Sequence, residues 1–229
     1  MFAGKNQFKP VFVRIGSVIS VSAKSARKTE MIKAFIFDIG NVLLPFDFTI
    51  ALRKLRQNSD VESLLQTMEP VKVAYESGAI DRAEFLERMR VVLHYTGTEA
   101  EFIATWENIF TENPPMLDFV RELHRQYPLY LLSNTSDIHM DYLFRAYPVF
   151  KLFKDGVYSY RARCFKPDRR IFEMALEQFG VAAKETVFID DLQPNVDAAL
   201  ALGIRGVRYD HKRHGDFVAS LDELKVGIA

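Results

Sequence analysis

Short apolar runs alternate along this chain with longer stretches whose apolar residues recur at helical spacing. Ala34-Phe35-Ile36-Phe37, Leu131-Leu132 and Val187-Phe188-Ile189 are runs of the first kind. Such runs, bounded by polar residues, suit strands buried on both faces. The pattern predicts strands over 33–38, 129–133, 156–160, 186–190 and 205–209, with helices between most of them. Alternation of this sort gives an α/β fold, a three-layer arrangement with helices on both faces of a parallel sheet.

The first and second predicted strands are separated by a long, mainly helical stretch. Asp81-Arg82-Ala83-Glu84 has the spacing of a helix start, with Phe85, Leu86 and Met89 forming an apolar face behind it. Thr98-Glu99-Ala100-Glu101 repeats that spacing ahead of Phe102, Trp106 and Ile109. Asn113-Pro114-Pro115 marks the exit, because proline does not continue a helix interior. The chain thus divides into a core of residues 31–44 and 115–229 and a helical insert over 45–114. Trp106 and many of the Phe residues fall at helical spacing and read as the core of the insert.

Composition bounds the answer. A chain of 229 residues with 48% hydrophobic and 26% charged residues fits one globular domain with a small insert. Formal net charge is zero, so there is no overall electrostatic case for nucleic acid or an anionic membrane. No apolar run approaches the length of a membrane helix. Cys164 is the single cysteine, which excludes an intramolecular disulfide and suits a reducing, cytoplasmic setting. Residues 1–30 carry Lys5, Lys9, Arg14, Lys24, Arg27 and Lys28 against Glu30 alone, a surplus of +5. That segment reads as an extension irrelevant to catalysis, as a docked arm or as an organelle-targeting peptide. A secretory signal is not expected, since Arg14 interrupts its apolar residues.

The chemistry sits where the apolar runs end. Asp38 closes the first strand and is followed by Ile39-Gly40-Asn41-Val42. Open α/β sheets bind their ligands at such strand tips. The second strand ends in Ser133-Asn134. Phe165-Lys166-Pro167-Asp168 puts a lysine just before a helix, and Asp190-Asp191, with Asn195 following, close the fourth strand. Two adjacent acids are costly to hold together without a cation.

Carboxylate, hydroxyl, lysine and acid pair, in that order, resemble the four motifs of the haloacid dehalogenase superfamily of hydrolases, over roughly residues 31–210. The resemblance implies a Rossmann-like core, and the insert as a mobile cap that closes over small substrates. It implies that Asp38 attacks phosphorus and forms an aspartyl-phosphate. Ser133, Lys166, the Asn134 N–H and the amides of Ile39 and Gly40 would hold the phosphoryl group. Mg²⁺ would be held by Asp38, the Gly40 carbonyl and Asp191, helped by Asp190, with Asn195 orienting that shell. A small phosphorylated metabolite would be the partner of a monomer or homodimer.

Most phosphatases of that superfamily carry a second Asp two residues after the nucleophile, as acid and base. Here the position is Gly40, which keeps a carbonyl for metal but offers no proton. The Asp-x-Gly-Asn-Val form resembles a branch that includes sugar-1-phosphate phosphatases. That branch is also similar at Ser133-Asn134-Thr135, at His139 and at Asp47. Asp47 and His139 are therefore candidates for sugar contact or proton transfer. Asp47 also reads as the N-cap of a helix starting at Phe48. Three other readings stand beside the phosphatase: a haloacid dehalogenase, a phosphotransferase to a sugar hydroxyl, and a non-catalytic binding or regulatory protein. The acid pair opposes the dehalogenase, as does the lack of an aromatic residue at position 40. Cys164 reads as a partly buried structural residue and His211-Lys212-Arg213-His214 as a solvated loop.

Overall fold

The computed structural model describes residues 31–56 and 60–223; the basic segment 1–30 lies outside them. Five parallel strands form one sheet: β1 (Ala34–Phe37), β2 (Leu129–Ser133), β3 (Asp155–Tyr158), β4 (Thr186–Asp190) and β5 (Arg205–Arg208). Their spatial order is β3-β2-β1-β4-β5, all parallel. The chain leaves β1 toward one neighbour, β2, and returns to the other side as β4. The tip of β1 is therefore the switch point of the sheet, where diverging connections leave a crevice. The expected strand over 156–160 stops at Tyr158, because Ser159–Ala162 turn into a short helix, α7 in chain order.

The period of two decides which face each strand residue covers. Phe35, Phe37, Leu129, Leu131, Val187 and Ile189 bury on one face, against α5 (Pro114–Leu123), α6 (Asp137–Ala146) and α10 (His214–Glu223). Ala34, Ile36, Tyr130, Leu132 and Phe188 bury on the other, against α8 (Arg169–Phe179) and α9 (Gln193–Ala201). Both faces are covered, so the central strand is apolar throughout and wholly buried. Each large side chain so buried contributes on the order of 2 kcal/mol.

The residues between β1 and α5 form α1 (Phe48–Leu55), α2 (Val61–Glu76), α3 (Arg82–Val92) and α4 (Glu99–Trp106). They bury a separate apolar cluster that includes Leu52, Met68, Phe85, Met89, Phe102 and Trp106. Thr98 and Glu101 make the reciprocal capping box that their spacing predicts. Asp81 accepts the Glu84 N–H at 2.9 Å. Asn113 gives no side-chain cap to α5: its amide instead reaches the Val42 carbonyl at 2.8 Å and the Tyr209 hydroxyl at 2.9 Å. Pro114 and Pro115 begin α5, where a missing N–H costs nothing.

The two crossings between core and insert run side by side. Thr111 N–H donates to the Pro45 carbonyl at 2.8 Å and Asp47 N–H to the Ile109 carbonyl at 3.0 Å, around an antiparallel bridge of Phe46 with Phe110. A second clasp lies on α6, where Arg82 from α3 binds Asp137 at 2.9 Å and Asp141 at 2.6 Å. The Tyr75 hydroxyl also donates to Asp137.

Candidate active site

Asp38 stands one residue past the apolar run of β1. Its N–H continues the ladder to the Ile189 carbonyl at 2.9 Å, so its backbone is fixed by the sheet. The parallel register then brings Ser133 and Asp190, the last residues of the two flanking strands, to the same edge. Lys166 enters from the loop before α8 and places its ammonium 2.8 Å from Asp38 Oδ1 and 2.6 Å from Asp190 Oδ2. It is 1% exposed at the side chain, with the face of Phe188 on its other side at 5.5 Å.

The Lys166 backbone is held by one amide. Asn134 Nδ2 donates to the Lys166 carbonyl at 3.0 Å, and the Lys166 N–H donates to Asn134 Oδ1 at 2.9 Å. Reciprocal bonds of this kind lock a loop onto a strand end. The sequence reading assigned Asn134 only its backbone N–H. The side-chain clamp needs two segments 32 residues apart to meet, which no local pattern shows.

Asp190 is fully buried and saturated. It accepts from Lys166, from Asn195 Nδ2 at 2.9 and 3.1 Å, and from the Leu192 N–H at 2.9 Å. Asn195, on the first turn of α9, thus acts on Asp190 itself. Asp191 is half-buried and accepts from Asn41 Nδ2 at 3.1 Å. Asn41 takes a left-handed backbone, φ 55°, which asparagine tolerates better than most residues. That turn swings its amide toward Asp191.

The electrostatics follow from this packing. Burial pushes the Asp38 carboxyl up to about 6; Lys166 and the Ser133 hydroxyl oppose the rise, and Asp190 adds to it. Burial also raises Asp191, against the pull of Asn41. Lys166 is drawn down by burial, but Asp38 and Asp190 outweigh this and hold it above the ordinary lysine value. Three carboxylates face one ammonium, so the site is short of positive charge when all are ionised. Oxygens of Asp38, Asp190 and Asp191 lie within 4.8 Å of one another. Hard oxygen donors in that surplus fit a small divalent cation such as Mg²⁺. Because Asp190 is already saturated, Asp38 and Asp191 are the carboxylates with capacity left.

A cavity of about 450 Å³ opens above these groups. Ile39, Gly40, Ser133, Asn134, Lys166, Asp191 and Asn195 line its floor, and Phe46, Phe48, Phe110, Glu69, Lys72 and Glu76 its walls. None of these wall residues is a site candidate in the sequence reading. Gly40 lies under the ring of Phe46: a Cβ there would come 2.7 Å from the ring edge. The aromatic crossing therefore occupies the space that a side chain at position 40 would need.

The other candidates part company here. His139 lines the cavity but is buried among Phe48, Trp106 and Phe110, with Nε2 3.3 Å from the Trp106 carbonyl. Burial lowers it to about 4, so it is neutral at ordinary pH. Asp47 is exposed and caps α1, accepting from the Thr49 N–H and hydroxyl at 2.8 Å. It is not among the residues lining the cavity. Cys164 is buried under α8, and burial pushes its thiol up.

A sequence model of haloacid dehalogenase-like hydrolases matches residues 32–203. A D-ribitol-5-phosphate phosphatase of Bacteroides thetaiotaomicron is 27% identical over 186 residues, covering 76% of this chain and 89% of that protein. A sesquiterpene phosphatase of Aspergillus oryzae is 28% identical over 183 residues, covering 76% and 88%. A haloacid dehalogenase family enzyme of Bacteroides thetaiotaomicron, solved with magnesium and inorganic phosphate, superposes with a TM-score of 0.69. It is 30% identical, over 77% of this chain and 93% of that one. The L-2-haloacid dehalogenase of Xanthobacter autotrophicus shares the fold, at 20% identity and a TM-score of 0.60 over 87% of this chain and 85% of that one.

Proposed function

This chain belongs to the haloacid dehalogenase-like hydrolases, and from that premise we propose that it is a Mg²⁺-dependent phosphatase of a small sugar or polyol phosphate, working through an aspartyl-phosphate on Asp38. The observation that carries the reading is the surplus of acid at the β1 tip: Asp38, Asp190 and Asp191 around a single buried lysine. A dehalogenase attacking a carbon–halogen bond has no use for that surplus. A phosphatase that must bring an anion to an anion does.

Asp38 Oδ attacks phosphorus, and the bond from phosphorus to the ester oxygen breaks. The alcohol leaves with a proton drawn from water. Water then attacks phosphorus in the aspartyl-phosphate, releasing inorganic phosphate and returning the Asp38 carboxylate. Lys166 keeps Asp38 ionised and offsets the charge of the incoming phosphoryl oxygens. Ser133 and the amides of Ile39, Gly40 and Asn134 donate to those oxygens. Asp190 fixes Lys166, and Asn134 holds its backbone. Asp38, the Gly40 carbonyl and Asp191 would hold Mg²⁺, which neutralises phosphoryl charge when bound. The inserted helices serve as the cap that keeps bulk water from the site.

Phosphate release from a panel of sugar and polyol phosphates, in Mg²⁺ and in EDTA, tests the reading beside Asp38→Asn. Release that requires Mg²⁺ and disappears in the variant is the expected result. A folded, Mg²⁺-loaded protein that releases phosphate from none of them rules the proposal out.

A further inference from the structure

The cavity that Asp38 lines carries a second group of charges. Glu69, Lys72 and Glu76 lie on one face of α2, at spacings of three and four residues. The Lys72 ammonium is 3.3 Å from Glu69 and 3.2 Å from Glu76, and stands 5.6 Å over the ring of Phe48. All three residues line the same cavity as the nucleophile.

We propose that this triad is the subsite that recognises the hydroxyl-bearing end of the substrate; the inference rests on the phosphatase reading above and names the substrate class as polyhydroxylated phosphomonoesters. A hydroxyl both donates and accepts. Carboxylate oxygens and an ammonium held side by side therefore match adjacent hydroxyls, the acids accepting and Lys72 donating. A purely apolar chain would strip water from the triad and return no hydrogen bond, which disfavours it strongly. The aromatic walls at Phe46 and Phe110 suit the C–H faces of the same molecule. An amine is less well matched, because the acids already hold a cation.

The triad is connected to the phosphate site through one buried hydroxyl. The Ser159 hydroxyl is wholly buried. It donates to the Glu76 main-chain carbonyl at 2.6 Å and accepts the Thr135 N–H at 2.9 Å. Thr135 is two residues beyond Ser133. The end of α2 is thereby tied by hydrogen bonds to the loop that follows Ser133. Ion pairs that only support a helix face water, where they add a few tenths of a kcal/mol each. Glu76 and Lys72 are largely withdrawn from it, with side chains 12% and 16% exposed.

The test compares the full-length wild-type enzyme with Lys72→Met, Lys72→Arg and Glu76→Gln, all in Mg²⁺. Substrates are a pentitol phosphate, a hexose phosphate, hexyl phosphate and p-nitrophenyl phosphate. KM for the two polyol substrates should rise about tenfold or more in Lys72→Met and Glu76→Gln, the loss of a charged hydrogen bond. The kcat values and p-nitrophenyl phosphate kinetics should hold within about threefold of wild type, and Lys72→Arg should keep most of the affinity. Equal effects on all four substrates, no effect on any, or a wild type that favours hexyl phosphate overturns the inference while leaving the phosphatase standing. Hydrolysis of none of the four by wild type removes the phosphatase and this subsite together.

Discussion

Floor and wall of the cavity are built from the same motif, a lysine between two acids, and they differ in how the three residues meet. On the floor, Asp38, Lys166 and Asp190 come from a strand tip, a loop and another strand tip, and Lys166 is 1% exposed at its side chain. On the wall, Glu69, Lys72 and Glu76 come from successive turns of one helix, and Glu69 is 52% exposed at the rim. Burial makes every charge on the floor depend on its partners, since an uncompensated ion there has no water to fall back on. On the wall Glu69 keeps its water, while Lys72 and Glu76 keep only a small share of theirs. In the proposed reading, the chemistry common to every substrate runs on the first kind of triad and recognition on the second.

The largest break is at Asp38. Asp38→Asn should lower kcat by about four orders of magnitude or more, as loss of a nucleophile does. The same change should stabilise the metal-free protein at pH 7.5. The folded carboxyl titrates at about 6 against 3.8 when unfolded, so the folded state binds the proton more tightly. Stability therefore falls as pH rises through that window, and removing the charge returns about 1–3 kcal/mol. A melting temperature in EDTA that drops in the variant contradicts this account of the floor.

Next, Lys166→Met should cost about 3–5 kcal/mol in urea unfolding, because two buried acids are left facing each other. Lys72→Met should cost less, about 1–2 kcal/mol, because it leaves the largely buried Glu76 unpaired while Glu69 keeps its water. Equal losses would erase the distinction between floor and wall.

His139 lies against the aromatic groups of the wall and is held neutral by burial, at about 4 instead of 6.5. Its contribution is present above pH 6.5 and is lost as pH falls toward 4, amounting to about 3 kcal/mol. His139→Phe should flatten the acid limb of the stability profile by that amount, followed by urea unfolding between pH 7 and 4. An unchanged limb would mean that the imidazole already protonates in the folded state.

The smallest effect concerns the join between the two regions. Gly40→Ala should destabilise by about 1–2 kcal/mol, because the new methyl displaces the Phe46 ring from Phe48 and Phe110. In the Phe46→Ala background the same change should cost almost nothing, a coupling that a double-mutant cycle measures directly. Additive costs would show that the ring is not what requires glycine there.

Much of the floor was legible in the chain, and little of the wall. Asp38, Ser133, Lys166 and Asp190-Asp191 are readable because each closes an apolar strand or opens a helix, and strand ends in a parallel sheet converge on one edge. The helix starts at Asp47, Asp81 and Thr98 were equally readable, since capping needs only a few consecutive residues. Asn41, the Asn134 side chain and Phe46 were not, because their partners Asp191, Lys166 and Gly40 are set by loop conformations. Proline shows the same limit from the other side: Pro70 lies inside α2, where propensity alone would end the helix.

The sequence by itself determined the parallel sheet and the order of its chemistry along the strand tips. Periodicity and strand-end position are local properties and survive without knowledge of the fold. Only the tertiary structure decided that α2 runs on through Pro70 and turns Glu69, Lys72 and Glu76 into the cavity, that Asp190 is saturated while Asp191 is not, and that an aromatic ring fills the space over Gly40. Those outcomes depend on which surfaces pack together and how much water they exclude. Exclusion of water is what turns ordinary acids and lysines into the two triads of this site.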